Sequence, residues 1–217
     1  MNRKEREHQF AKAHLYPVIT PIFCAGRNPL HIAEELIDAG ARVLQLRAKP
    51  ASDREFFDLA LRFRELTTRT NCLLIIDDRP DIAQLVHADG VHIGQDDLPV
   101  HAVRQLLPDG LVGISCHNAA EIVAAQTEDI SYLNIGPVFP TQTKHNPIPP
   151  LGVQQLKELI ALVRMPFSVM GGIKENHIPE LREAGVHMIA MVTQLTQAHF
   201  PKEVFTRINH AMHSEEE

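Results

Sequence analysis

Three residues that could bind a phosphate follow one short apolar run in this sequence. Gln45, Arg47 and Lys49 occupy alternate positions at the end of that run. If the run is a β-strand, alternate side chains point to the same side, so the three would share one face. Arginine offers a planar fork of donors and lysine a point charge, which together suit a phosphate or diphosphate. The alternative interpretation is a solvated strand end with salt bridges.

Acidic residues follow the next two apolar runs. Asp77 and Asp78 precede Arg79, and Asp97 ends the segment after the following run. Mg²⁺ usually takes one or two carboxylates and completes its shell with water and substrate phosphate. We therefore expect Asp78 and Asp97 to bind Mg²⁺ beside the cationic cluster. The alternative is that these two residues are loop caps or ion-pair partners of Arg79.

Hydroxyl groups follow the later runs. The hydroxyl of Ser115 can hydrogen-bond a phosphate or a reacting ring. Its neighbours Cys116 and His117 do not make a catalytic triad with it, because a triad is defined by geometry and not by adjacency. A long loop then presents Thr141, Thr143 and Lys144, and such loops often bind anions or act as lids.

A glycine pair and a threonine indicate a second anion site. Gly171 and Gly172 follow one apolar run, and Thr193 follows the last. In parallel barrels the loops after strands seven and eight frequently bind phosphate through backbone N–H groups, and glycine permits the close approach. Two anion sites imply two phosphorylated reactants, or one that is doubly phosphorylated.

Short apolar, β-branched runs alternate with segments of helical period, and this order predicts parallel strands joined by crossovers. Eight such units favour a single-domain (β/α)₈ barrel of the α/β class, with an open doubly wound sheet as its rival. No G-x-G-x-x-G motif opens the first unit, so a dinucleotide site has no support. The predicted strands are Tyr16–Phe23, Arg42–Leu46, Cys72–Ile76, Gly90–Ile93, Leu111–Ile114, Tyr132–Ile135, Pro166–Met170 and Met188–Val192.

Composition sets the remaining limits. The 217 residues carry a net charge of −6 and no apolar stretch long enough for a membrane span, so we expect neither a nucleic-acid nor a membrane partner. Three widely spaced cysteines fit no disulfide framework, which favours the cytoplasm. We expect residues 1–14 to form a polar arm or short helix without the apolar core of a signal peptide, 15–212 the barrel, and 213–217 an acidic tail.

Several of these motifs, in this order, resemble the thiamine-phosphate synthase family from about residue 15 to about residue 195. The segment Ala88–Asp97 and the Thr-x-Thr-Lys loop are the specific parts of the resemblance, and the glycine pair is the least specific. The matching segments are Gln45-x-Arg47-x-Lys49, Ile75–Arg79, Ala88–Asp97, Gly136–Lys144 and Gly171–Ile173.

The resemblance implies a reaction and a set of roles. Family members join 4-amino-2-methyl-5-hydroxymethylpyrimidine diphosphate to a thiazole phosphate and release pyrophosphate. By analogy, Asp78 and Asp97 would hold Mg²⁺, and Arg47, Lys49, Ser115 and Lys144 would act in catalysis. The residues that would bind the pyrimidine diphosphate are Gln45, Arg47, Lys49, Asp77, Ser115 and Lys144, and those that would bind the thiazole phosphate are Thr141, Gln142, Thr143, Gly172, Val192 and Thr193.

Three positions depart from the family pattern. Asp77 stands where the family usually has asparagine, and an ionised carboxylate cannot donate a hydrogen bond. Ala48 stands where glutamate is common, at a position expected to point away from the phosphate site. The first strand ends in Ile19-Thr20-Pro21 instead of the usual Thr-Asp.

Two other functions stay open at this level. A sister family, the thiazole tautomerases, would use a histidine after strand five, where His117 stands, although it has no evident use for Lys49 together with Asp78 and Asp97. A non-catalytic binder of thiamine precursors is the second alternative, and Asp77 is the feature that supports it. The assembly is left open, with a homodimer as one form.

Overall fold

Eight parallel strands close into a barrel in the computed structural model, which describes residues 1–141, 143 and 148–213. Each strand pairs with its neighbour in chain order, and β8 pairs with β1. This confirms the (β/α)₈ prediction and excludes the open sheet. The strands are β1 (Leu15–Ile19), β2 (Val43–Leu46), β3 (Leu73–Asp77), β4 (Gly90–Ile93), β5 (Leu111–Cys116), β6 (Tyr132–Ile135), β7 (Phe167–Val169) and β8 (Ile189–Met191).

Helices follow the strands and cover the outside of the barrel. Asn28 caps α2 and Ser52 caps α3, each by accepting a backbone N–H with its side chain. The helices are α1 (Arg3–Ala11), α2 (Pro29–Asp38), α3 (Asp53–Thr70), α4 (Pro80–Leu85), α5 (Val100–Leu106), α6 (Ala119–Ala125), α7 (Gly152–Ile160), α8 (Ile178–Glu183), α9 (Thr193–Thr196) and α10 (Pro201–His213).

The first strand is shorter than its apolar run predicts. The run Tyr16–Phe23 reads as one strand, but β1 ends at Ile19 and Pro21–Phe23 forms a 3₁₀ turn. Proline at the first position of that turn has no backbone N–H and a fixed φ suited to helical geometry, so it ends the extended chain. Apolar character alone does not distinguish the two conformations.

Helix α1 crosses the amino-terminal end of the barrel. Its Phe10 is buried, with its ring centroid 4.2 Å from that of Tyr132 and 5.5 Å from that of Tyr16. Arg6 pairs with the buried Asp89 and also donates to the carbonyl of Asp109. Residues 1–14 thus contain the short helix that the sequence allowed, and α1 closes one end of the barrel. Of the tail at 213–217, only His213 lies among the described residues.

Candidate active site

The carboxyl ends of the strands, together with the loops after them, form what we call the mouth. In barrels of this type the reacting groups are placed there. The interior positions just below the mouth carry polar side chains on several strands, among them Gln45, His92, Ser115 and Asn134, all nearly inaccessible to solvent. Because side chains alternate along each strand, the strand residues next to these polar ones face the surrounding helices and are apolar.

The cations predicted after β2 and the acids predicted after β3 are brought together. The Nε atom of Arg47 lies 3.3 Å from a carboxylate oxygen of Asp77, and the Nζ atom of Lys49 pairs with Asp78. Ala48, between the cations, is buried, whereas the Lys49 side chain is 58% exposed. The alternation predicted from the sequence is therefore present, and Arg47 and Lys49 point into the mouth.

The two carboxylates predicted as metal ligands touch each other. Burial alone would raise the pKa of Asp78, but hydrogen bonds from Lys49 and Asp97 hold its pKa below the ordinary value. Burial and the hydrogen bond to Asp78 raise the pKa of Asp97. Asp97 also accepts the backbone N–H of Gly94 at 2.6 Å. Two close carboxylates, one of which has a raised pKa, indicate a place where a cation would be favourable.

The alternative for Asp78 and Asp97, that they are loop caps or ion-pair partners of Arg79, holds in part. Asp97 does cap its own turn through Gly94, as a loop cap would. Arg79, however, turns away from the mouth, and its guanidinium pairs with Asp53 and Asp81, each at 2.6 Å. Asp78 and Asp97 are therefore not the partners of Arg79 within the described residues.

A line of buried hydrogen bonds crosses the barrel below the mouth. The Nε2 of Gln45 donates to the hydroxyl of Tyr16 at 2.8 Å, and that hydroxyl lies 2.9 Å from the hydroxyl of Tyr132. Nδ1 of His92 is 3.2 Å from the Tyr132 hydroxyl, and its Nε2 is 2.9 Å from Oγ of Ser115. Burial raises the pKa of both tyrosines, so these phenols stay neutral and the line holds Gln45 and Ser115 in fixed positions.

The two residues after Ser115 have separate environments. Cys116 is a free, buried thiol, and burial raises its pKa to about 12, so it is a small hydrophobic residue and not a nucleophile. His117 lines a cavity of the mouth, and its Nδ1 lies 2.5 Å from the carbonyl oxygen of Gly136. That carbonyl can only accept, so Nδ1 carries a proton.

The residues predicted for the second anion site line one pocket. Thr141, Thr143 and the glycine pair meet Val192 and Thr193 there. The two threonine hydroxyl oxygens lie 3.1 Å apart. Gln142 and Lys144, which the sequence predicts beside them, lie outside the described residues.

Gly172 shows why glycine is required in this pocket. Its φ is +64°, and a Cβ atom there would lie 2.3 Å from the carbonyl oxygen of Pro140. A side chain would therefore push the threonine loop away from β7. Glycine keeps the backbone of the two loops close enough to form a single pocket.

Two residues of the mouth have no counterpart among the sequence predictions. Lys174 lines the second anion pocket, two positions after Gly172, and its place directly after the Gly-Gly-Ile segment was the only available signal. Asn134 lies inside the barrel between Ser115 and Ser168 in strand register. Nothing in the apolar run Tyr132–Ile135 distinguishes it from a tolerated polar residue in a strand.

Comparisons with known proteins agree on one family. The model of the family described as thiamine monophosphate synthase matches residues 15–195, from the start of β1 into α9. The thiamine-phosphate synthase of Dictyoglomus thermophilum is 36% identical over 199 residues, which cover 91% of this chain and 89% of that protein. The thiamine-phosphate synthase of Chloroflexus aurantiacus is 39% identical over 184 residues, with 85% of each chain covered.

A solved structure supports the same assignment. The thiamine phosphate pyrophosphorylase of Pyrococcus furiosus superposes with a TM-score of 0.84 at 26% sequence identity, covering 95% of this chain and 98% of that one. The family match, the relatives and the barrel therefore agree over nearly the whole chain. On these grounds the chain belongs to the thiamine monophosphate synthase family.

Proposed function

We propose that this chain joins 4-amino-2-methyl-5-hydroxymethylpyrimidine diphosphate to a thiazole phosphate by Mg²⁺-dependent, dissociative substitution. Thiamine-phosphate synthase activity, and with it a transferase that uses small phosphorylated substrates, follows from membership of the family. The observation that carries the rest is the contact of Arg47 and Lys49 with Asp77 and Asp78 beside Asp97. This arrangement suits a diphosphate whose negative charge is balanced by lysine, arginine and a metal.

The donor set at Asp78 and Asp97 fits Mg²⁺. The two carboxylates are close enough to share a proton, and Mg²⁺ commonly takes one or two carboxylates together with substrate phosphate oxygens. No group of three or more metal-ligating side chains occurs within the described ranges, so substrate and water would complete the shell. Bound there, the metal would stabilise the negative charge of the departing diphosphate.

In the proposed reaction the bond between the pyrimidine methylene carbon and the diphosphate oxygen breaks, and the diphosphate keeps the electron pair. The electron-rich aminopyrimidine carries the resulting positive charge until the thiazole nitrogen forms the new bond. Arg47, Lys49 and Lys144 would bind the departing diphosphate, and electrostatic stabilisation of this kind is usually the largest contribution to such a rate. No covalent bond to the protein is formed.

The remaining predicted residues would position the two reactants. Gln45, Asp77 and Ser115 would hold the pyrimidine side, with Gln45 and Ser115 fixed by the buried hydrogen-bond line. Holding both reactants in line converts an encounter into an effectively unimolecular step. The thiazole phosphate would be held by Thr141, Gln142, Thr143, Gly172, Val192 and Thr193.

The test is direct. Purified protein is mixed with both phosphorylated substrates and Mg²⁺, and thiamine phosphate and pyrophosphate are measured separately. Equal amounts of both products, lost when the metal is chelated and restored by Mg²⁺, are expected. No product at high enzyme concentration, with thiazole phosphate still bound, would instead support a non-catalytic binding protein, and isomerisation of the thiazole would support the tautomerase.

The cellular location and the oligomeric state of the protein also stay predictions. The cysteines Cys24, Cys72 and Cys116 are all free and buried, which supports a reducing, cytoplasmic location. Among the described residues, no helix combines the length and apolar character that crossing a membrane requires. A homodimer is tested by measuring the mass of the protein in solution.

A further inference from the structure

Asn134 is a buried amide with no hydrogen-bond partner among the described residues. It is 1% exposed, and neither its Nδ2 nor its Oδ1 has a hydrogen-bond partner in the described structure. Buried polar side chains are nearly always hydrogen-bonded, so an unsatisfied one points to water, to an ion or to a ligand that the site is built to receive. An amide that lacks both a donor and an acceptor partner is suited to a ligand that offers both.

The place of Asn134 in the barrel aims it at the mouth. On β6 the side chain two positions earlier, Tyr132, fills the interior, and its hydroxyl belongs to the buried hydrogen-bond line. Alternation along the strand puts Asn134 on the same interior side, one layer nearer the mouth. In strand register it lies between Ser115 on β5 and Ser168 on β7.

The cavity that Asn134 lines is mostly apolar and carries a few polar groups. Apolar side chains of Pro137, Ile148 and Met170 form much of its surface, and Ser115 and Asn134 supply polar groups from the strands. Ligand sites for small molecules are typically apolar, with a few placed polar groups that fix the orientation of the ligand. Ser115 is already held by His92, so Asn134 is the strand residue here whose hydrogen-bonding capacity is unused.

The hydrogen-bonding groups of the two proposed reactants show which of them the Asn134 amide can pair with. A 4-aminopyrimidine presents an N–H donor next to a ring-nitrogen acceptor, and a carboxamide can pair with both atoms, as asparagine does with the equivalent edge of adenine. The thiazole offers no N–H donor, and its one ring nitrogen is consumed in the reaction. The carbonyl oxygen of Asn134 would stay unsatisfied against it.

We propose that Asn134 binds the amino and ring-nitrogen edge of the aminopyrimidine and so determines which pyrimidine diphosphate is accepted. This inference rests on the proposed function and adds a residue to its pyrimidine site. Asp77, one of the side chains placed on the pyrimidine side above, is a carboxylate paired with Arg47 and, when ionised, can only accept. Asn134 therefore supplies a hydrogen-bond donor that Asp77 in its ionised form does not.

The experiment compares two substrates in matched variants. The pyrimidine diphosphate and its analogue with hydrogen in place of the 4-amino group are assayed with the wild type, Asn134→Leu and Asn134→Asp. We expect Asn134→Leu to raise the KM for the aminopyrimidine diphosphate by about 10- to 100-fold, the cost of leaving a buried polar group unpaired. The KM for the thiazole phosphate should stay within about two-fold, and the preference for the 4-amino group should shrink by the same factor.

Further variants keep this test decisive. Ser168→Ala removes the neighbouring buried hydroxyl, which also lacks a partner but does not line the cavity, and should change neither KM. Asn134→Asp keeps the size and loses the donor, so it should weaken pyrimidine binding even if Asn134→Leu fails to fold. Binding of the pyrimidine alcohol alone, measured by calorimetry, gives a readout that does not depend on turnover.

The outcomes separate this inference from the function on which it rests. A wild type that forms no product overturns the proposed function. A wild type that forms product, with an unchanged KM for the aminopyrimidine in both Asn134 variants, overturns only the role of Asn134 and leaves water as its partner. A rise confined to the KM for the thiazole phosphate would also overturn it.

Discussion

Two buried polar side chains near opposite ends of the barrel, Asp89 and Asn134, differ in their hydrogen-bond partners. At the amino-terminal end, the carboxylate of Asp89 is 4% exposed and is bound by Arg6 at 3.2 Å, by Arg64 at 2.6 Å and by the backbone N–H of Leu74 at 3.0 Å. At the mouth, Asn134 has no hydrogen-bond partner in the described structure, and burial together with the neighbouring Asp78 raises the pKa of Asp97. The buried carboxylate of Asp89 is therefore fully bound by the protein itself, whereas the buried amide of Asn134 is not.

One sequence motif contributes to both ends. The segment Ala88–Asp97 contains Asp89 just below β4 and Asp97 above it, and the strand between them is only Gly90–Ile93. The sequence presents these acids as parts of one functional signature. The structure separates them into an aspartate bound within the closed end and one at the mouth, because the strand carries the chain from one end of the barrel to the other.

The largest expected effect is on stability at the closed end. Replacing Asp89→Ala leaves two arginines and a backbone N–H without their shared partner, and breaking a buried ion pair in this way costs about 3–5 kcal/mol. Denaturant and thermal unfolding should show this loss, with Tm lower by roughly 6–20 °C for a chain of this size. The kcat of the folded enzyme should be unchanged.

A surface pair provides the control for Asp89. Asp53 pairs with Arg79 at 2.6 Å, but its side chain is 86% exposed. Asp53→Ala should lower the free energy of unfolding by less than about 1 kcal/mol. Equal losses in the free energy of unfolding for the two variants would contradict the stabilising role given to Asp89.

The next effect is on activity at the mouth. Asp97→Asn keeps an oxygen for the backbone N–H of Gly94 but removes a carboxylate from the proposed metal site. We expect kcat/KM to fall on the order of 100-fold or more. Replacing even a residue that only hydrogen-bonds to a metal ligand typically lowers metal affinity or activity by about 10- to 100-fold. The Mg²⁺ concentration for half-maximal rate should rise, while Tm is unchanged or higher because two close carboxylates no longer compete for one proton.

The exposed neighbour Asp96 is the matched control, and Asp96→Asn should leave both rate and metal response unchanged. An unaltered Mg²⁺ dependence in Asp97→Asn would remove Asp97 from the proposed metal site. A large fall in its Tm would instead place Asp97 with Asp89, among the residues that the fold itself requires.

A smaller effect is expected in the second anion pocket. Thr193→Val removes a hydroxyl that lines this pocket with the glycine pair, and hydrogen bonds to charged groups are worth about 1.5–3 kcal/mol. The KM for the thiazole phosphate should rise about 10-fold, with kcat and the KM for the pyrimidine diphosphate nearly unchanged. Thr206→Val, on the exposed face of α10, is the control. Equal increases in the KM values for both substrates would indicate that Thr193 maintains the shape of the mouth and does not bind one phosphate.

The smallest effect is expected at Asp77. In Asp77→Asn the amide is able to donate a hydrogen bond, and Arg47 loses its 3.3 Å ion pair and is released toward a diphosphate. Steady-state kcat/KM should stay within a few-fold of the wild type or rise. Abolished activity would show that this chain uses the carboxylate itself, and comparison with Asp77→Ala would separate loss of charge from loss of contact.

Local sequence patterns suffice to predict the barrel and the side on which several residues of the mouth lie. Buried strands are nearly continuous apolar runs, and alternation beyond each run places residues such as Gln45, Arg47 and Lys49 on one side. Both properties are local, so they can be read without knowing what packs against what. The first strand was predicted too long because Pro21–Phe23 is apolar in a turn as well as in a strand.

Which polar groups have partners depends on contacts between distant parts of the chain. Strand register and closure of the barrel decide that Arg79 pairs with Asp53 and that Arg6 reaches Asp89 across the closed end. They also leave Asn134 without a hydrogen-bond partner within the part of the chain that the structure describes. These contacts join residues far apart in the chain, and no local pattern encodes their distances. Whether a buried polar side chain stabilises the fold or awaits a ligand therefore becomes visible only when its neighbours are in place.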